Sequence, residues 1–183
     1  KAQITEVTVG YGYGYQWWLG ERIINGEKIK IVIAQGNGGQ CIFIIPKAKA
    51  IAVVTSQLMN NRGGFFRPQV MVTEYILPAL FHQASPTKYL AVDSVILEQY
   101  VGKYEDKYFH FQVSATIKDN NLIIIPHRLG GAIELFPTSE TTFYGNSENI
   151  GNIEVSFSKN NNGSVDDMTM FIGFTHMLFD KIK

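Results

Sequence analysis

Several short patterns in this chain have the residue types for acyl-transfer chemistry. Ser85-Pro86-Thr87-Lys88 and Ser156-Phe157-Ser158-Lys159 each place a serine three residues before a lysine, a pairing in which a neighbouring base can activate the hydroxyl as a nucleophile. Tyr144-Gly145-Asn146 adds a phenol and an amide. The run Ala34-Gln35-Gly36-Asn37-Gly38 is different in kind, a glycine-rich stretch between two apolar segments. Backbone N–H groups on such an element can stabilise the negative charge that acyl transfer places on a carbonyl oxygen. Glycine there lets a substrate approach the main chain. Ser85 stands in a linker-like stretch with Pro86 behind it, and Ser156 and Lys159 alternate along a strand-like run, so neither serine is expected to be a nucleophile.

Other constellations are plain. His82, His110, His127 and His176 are scattered, with no pair at helical ligand spacing, and no metal site or cofactor is expected. "NNNGSVDD" lacks the early aspartate and terminal glutamate of a calcium loop and reads as a hairpin turn. Cys41 is the single cysteine and excludes an internal disulfide. Sixteen basic and sixteen acidic residues cancel, which removes any electrostatic case for nucleic acid or an anionic membrane. No run is long enough for a membrane span and no signal peptide is visible. The start at "KAQITEV" is expected to leave an upstream part missing.

The elements that must position these residues can be read from periodicity. "GYGYGYQWWLG" at 10–20 reads as a strand, with Tyr11, Tyr13, Tyr15 and Trp17 on one face and Gly10, Gly12, Gly14, Gln16 and Trp18 on the other. The bare face implies that a helix or another backbone comes close. Asn25-Gly26 between "RII" and "EKIKIVIA" is a two-residue hairpin signal. With "QCIFIIP" and "AIAVVTS", residues 9–56 predict a four-stranded antiparallel meander. A helix is predicted over 66–82, bent near Pro78, with Val72, Ile76 and Leu80 as its stripe. Residues 83–94 read as a linker. Beyond them, short apolar runs broken by "KDNN", "RLGG" and "NNNG" predict a small all-β barrel or sandwich. The fold class expected is α+β, an antiparallel sheet plus helix over 1–82 and a barrel over 95–183.

In this order, "YGYGYQWW", "AQGNGGQCIFIIP", "AIAVVTS" and "YILPAL" resemble the C-terminal end of serine β-lactamase-like hydrolases, the group of class C β-lactamases, penicillin-binding-protein-like peptidases and related esterases. "LEQYVGKYE", "DNNLIIIP", "ELFPTSETTFY" and "NNNGSVDDM" resemble the lipocalin-like barrel often appended to them. The resemblance implies a site of three elements: a Ser-x-x-Lys helix, a Tyr-x-Asn loop, and a strand element of the Lys-Thr-Gly type. Ala34-Gln35-Gly36 matches the third, with Asn37 supplying its oxyanion N–H and Gly38 following. Ala34 stands where penicillin-recognising members carry lysine, which argues for an esterase- or peptidase-like parent. The other two elements precede the strand in that family, whereas here the matching letters all follow it. The chain is thus expected to hold one wall of a site without its nucleophile, with Trp17 or Trp18 as a further candidate cleft border beside their plain reading as core.

Two functions follow. One is the C-terminal part of a hydrolase acting on a small acyl substrate, completed by its own N-terminal segment or a second copy of the chain, in a parent that the resemblance places outside the cytoplasm. The alternative is a non-enzymatic barrel that binds a small apolar molecule; its run of Phe, Ile, Leu and Met favours a filled interior instead.

Overall fold

The computed structural model describes residues 5–8, 11–59, 64–82, 89–108, 110–128 and 131–182. The chain is mostly β, which corrects the expected α+β class. Among the described residues, apart from a 3-10 turn at Pro46–Ala48, helix is confined to a broken stretch over 67–81 and five residues at Ser94–Glu98. Two compact units divide the chain. One comprises Lys1–Ser85 with Asn149–Gly151 and Ile172–His176, and the other comprises Pro86–Glu148, Asn152–Phe171 and Met177–Lys183.

The first unit holds six strands in chain order: β1 (Thr5–Thr8), β2 (Tyr11–Gly14), β3 (Trp17–Ile24), β4 (Glu27–Gln35), β5 (Cys41–Ile45) and β6 (Ala50–Val54). Neighbours pair antiparallel throughout. The tyrosine-rich segment is a hairpin and not one strand. Tyr15 and Gln16 both take positive φ, 52° and 68°, and turn the chain between Gly14 and Trp17, which pair with each other. Left-handed backbone costs a non-glycine residue about 1–2 kcal/mol. Tyr13 and Trp18 meet across the hairpin at 4.5 Å between ring centroids, an aromatic contact of about 0.5–1.5 kcal/mol beyond its burial, and Trp18 packs on the core. The expected common face for Tyr11 through Trp17 therefore fails, because alternation does not continue through a turn. The next hairpin turns at Asn25–Gly26, as its sequence predicts, with φ of 51° and 77°.

One face of this sheet is the core. Ile29, Ile31 and Ile33 of β4 and Phe43 and Ile45 of β5 are fully buried with Val72, Leu77 and Phe174, each such side chain contributing about 1.5–3 kcal/mol. The helical stretch covering them runs as α1 (Arg67–Met71), a π turn (Val72–Ile76) and α2 (Leu77–Phe81). A π turn adds one residue to the register, so the inward stripe keeps Val72 and Ile76 of the expected set, adds Leu77, and continues with Phe81 in place of Leu80. Leu77 is 0% exposed and Leu80 38%. Pro78 gives the local reason, since it has no N–H for the carbonyl of Glu74 and its ring crowds that carbonyl in a regular helix. The opposite face carries Val32, Ala34, Ile42, Ile44, Ile51 and Val53, in register across β4, β5 and β6. Ile51 and Val53 there are 67% and 64% exposed.

The second unit is a closed barrel: β7 (Gly102–Asp106), β8 (Gln112–Lys118), β9 (Asn121–Pro126), β10 (Ile133–Pro137), β11 (Thr142–Ser147), β12 (Gly151–Lys159), β13 (Val165–Ile172) and β14 (Thr175–Ile182), each beside the next, with β14 returning to β7. Tyr100, Tyr104, Phe143 and Phe157 form one buried cluster, in which Tyr100 stacks on Phe157 at 4.3 Å and meets Phe143 edge-on. A short helix α3 (Ser94–Glu98) precedes β7, capped by the Asp93 carboxylate, which accepts from the Val95 N–H at 2.9 Å. At "NNNG" the Asn160 side chain accepts from the N–H groups of Asn162 and Ser164 and shapes a hairpin turn.

Candidate active-site wall

The stretch singled out in the sequence is the β4–β5 connection. Gln35 pairs with Cys41 as the last rung of the ladder. Beyond it the Gly36 N–H donates to the Gln40 carbonyl at 2.9 Å, and the Gly39 N–H to the Gly36 carbonyl at 3.0 Å. The Gly38 carbonyl accepts from the Leu58 N–H and the Ser56 hydroxyl, both at 2.8 Å. Gly39 needs to be glycine twice over: its φ is +83°, and a Cβ would stand 2.7 Å from the Gly64 carbonyl oxygen. The turn is thus fixed by its own bonds and by Ser56, Leu58 and Gly64, with Asn37 exposed at its tip.

Alternation separates the predicted wall residues. Ala34 lies on the exposed apolar face with Val32, one strand from Ile42. Gln35 lies on the helix-covered face, where its amide donates to the Phe65 carbonyl and accepts from Gln69 Nε2 at 2.7 Å. Gln35 is therefore a buried-side anchor of the strand end. Gly36 and Gly38 are covered by the side chain of Gln40, whose amide occupies the places their Cβ atoms would take. Trp17 and Trp18, being consecutive in β3, point to opposite faces. Trp18 pairs with Ile33 and packs on the core. Trp17 is half-buried on the face that carries Ala34.

Electrostatics adds no nucleophile here. Burial pushes the Cys41 thiol up to about 12, so it stays protonated at neutral pH. Ser156, Lys159, Tyr144 and Asn146 stand on barrel strands β12 and β11, and Asn146 bonds to Asn152. Ser85 and Lys88 lie outside the described residues, as do residues 83–88 of the expected linker. Among the described residues no cluster of three metal-ligating side chains occurs, and no helix is long and apolar enough to cross a membrane. The residues that shape this turn and the strand end beside it and were not found from sequence are Gln40, Ser56 and Gln69. They lack a signal because their partners are distant along the chain or set by turn geometry.

Residues 88–181, just over half of the chain, match the family described as a domain of unknown function, DUF3471. The chain belongs to this family, which is associated with the C-terminal side of β-lactamase-like proteins. Among solved structures the chain is similar to the octameric penicillin-binding protein homologue from Pyrococcus abyssi, at 20% identity and a TM-score of 0.35. That similarity covers 97% of this chain and 38% of the other, so the chain spans little over a third of that protein's length. No curated protein matches it.

Proposed function

We propose that this chain is the C-terminal part of a serine β-lactamase-like acyl hydrolase, in which the Gly36–Gln40 turn forms one wall of the catalytic site. The observation that carries this reading is that Ala34 lies on an exposed apolar face that ends in a glycine-rich turn. Asn37 at that turn would supply the strand's N–H to the oxyanion, the second donor coming from the nucleophilic serine upstream. Ala34 in place of a lysine leaves no cation for a substrate carboxylate, which favours an ester or peptide over a β-lactam. The exposed patch of Val32, Ile42, Ile44, Ile51 and Val53 would be covered by the protein's own N-terminal hydrolase segment, since large exposed apolar patches are uncommon unless a partner covers them. The barrel would serve as a packed accessory domain; its buried aromatic cluster disfavours the small-molecule-binding alternative.

The test is activity-based labelling. A fluorophosphonate probe is expected to leave the 183-residue chain unmodified and to label the protein once the upstream coding region is joined, on a serine of a Ser-x-x-Lys in that region. Stoichiometric labelling of the chain alone, at Ser85 or Ser156, overturns the reading.

A further inference from the structure

Gln69 is fully buried, and its amide joins three separate pieces of the first unit. Its Oε1 accepts from the Phe174 N–H at 3.0 Å and from the Thr175 hydroxyl at 3.1 Å. Its Nε2 donates to Gln35 Oε1 at 2.7 Å, and Gln35 Nε2 in turn donates to the Phe65 carbonyl. The chain of bonds has a direction. At one end stands a backbone N–H that can only donate, and at the other a carbonyl that can only accept, so neither amide can turn over without setting like against like. The Gln35 side chain is thereby held in one orientation. The next residue is Gly36, whose N–H closes the turn onto the Gln40 carbonyl.

We propose that Gln69 is a positioning residue for the Gly36–Asn37 turn: through Gln35 it fixes the end of β4 and with it the direction of the Asn37 N–H. This rests on the reading of that turn as an oxyanion wall. A site of that kind tolerates displacements of only about 0.5 Å, and a buried directional amide pair supplies such a constraint where a surface turn with three glycines does not.

Gln69→Glu tests it in the intact 183-residue chain, by hydrogen exchange of assigned backbone amides. A carboxylate keeps the acceptors for Phe174 and Thr175 but sets an oxygen against Gln35 Oε1. Protection at Gly36 and Gly39 is expected to fall about tenfold at neutral pH, in keeping with the loss of one buried bond. It should return on acidification, when the protonated carboxyl donates to Gln35 again. Thr73→Val is the control, because it removes a buried bond to the Val70 carbonyl on the same helical stretch without touching Gln35. Equal loosening of the turn in Thr73→Val, or a loss in Gln69→Glu that does not respond to pH, overturns the proposal. Should Gln69→Glu fail to fold, Thr175→Val removes one of the two donors to Gln69, and unchanged turn amides in that variant overturn it equally. These readings need no catalysis, so they separate from the site assignment. A turn that loosens in Gln69→Glu, in a hydrolase whose kcat survives Gly36→Val, retires the oxyanion reading and leaves the link standing; a rigid turn with kcat lost in Gly36→Val retires the link alone.

Discussion

Gly20 lies directly against Phe174: a Cβ on Gly20 would stand 3.0 Å from the Cβ of Phe174 and 3.4 Å from Ile33 Cδ1. A glycine inside β3 would ordinarily weaken the strand. Here it opens the space in which Phe174 sits fully buried, 5.7 Å from the ring of Phe43. Gly20→Val is therefore expected to destabilise the first unit by about 1–3 kcal/mol through overpacking. Urea titration checks this. In a Phe174→Gly background, which removes the contacting Cβ along with the ring, the same substitution should cost clearly less, and full additivity of the two would disprove the contact as the cause.

Cys41 sets an alkaline limit on stability. Its thiol has an ordinary value of 9.0 and is raised to about 12 by burial. Between those values the unfolded chain gives up the proton and the folded chain keeps it, so stability is complete below pH 9 and falls as pH rises toward 12. Tyr104 is raised by burial too and acts in the same direction, which is why the comparison must be with Cys41→Ala. That variant should show a shallower loss of stability over the window. A thiol reagent at pH 8 should modify Cys41 only after denaturant is added.

In the barrel, Tyr100 joins ring packing to a directed bond. Its hydroxyl donates to the Glu140 carbonyl at 2.9 Å, and its own carbonyl accepts from the Tyr104 hydroxyl at 2.8 Å. Tyr100→Ala is expected to cost about 3–5 kcal/mol, the range for deleting a buried large aromatic. Tyr100→Phe should cost only about 1 kcal/mol, for the lost bond. Thermal melts of the two variants should rank accordingly, and equal effects would contradict the packing account.

The barrel closes by pairing Phe179 with Asp106 and Ile182 with Lys103. A fragment starting at residue 89 and keeping β14 is expected to fold and to resist limited proteolysis. One ending before Thr175 should be degraded, because both β7 and β13 then lose a neighbour. Equal resistance of the two fragments would show that closure contributes little.

What could be read from the sequence follows physical reach. Asn25–Gly26 was legible because that dipeptide itself favours positive φ. Tyr15–Gln16 was not, since neither residue signals a turn and the aromatic alternation on both sides imitates one strand. The barrel was legible as short apolar runs between turn clusters. The helix was legible in extent, but its stripe was misread at Leu80, because a π turn leaves no mark in periodicity. At the candidate wall, the glycine turn and its flanking strands could be found from local pattern. The inward direction of Gln35 could not, because its partner Gln69 lies on another element 34 residues away.

The two units differ in how they end their sheets. A closed ring has no free margin, whereas β6 is the last strand of an open sheet. Its sequence, Ala-Ile-Ala-Val-Val, is uncharged and strongly β-forming, and of nearby charges Lys49 alone directly abuts it. Short segments of this type at an open edge invite a foreign strand to add on. Misassembly of this protein at high concentration should accordingly begin at Ala50–Val54, with the barrel carried along as a folded passenger.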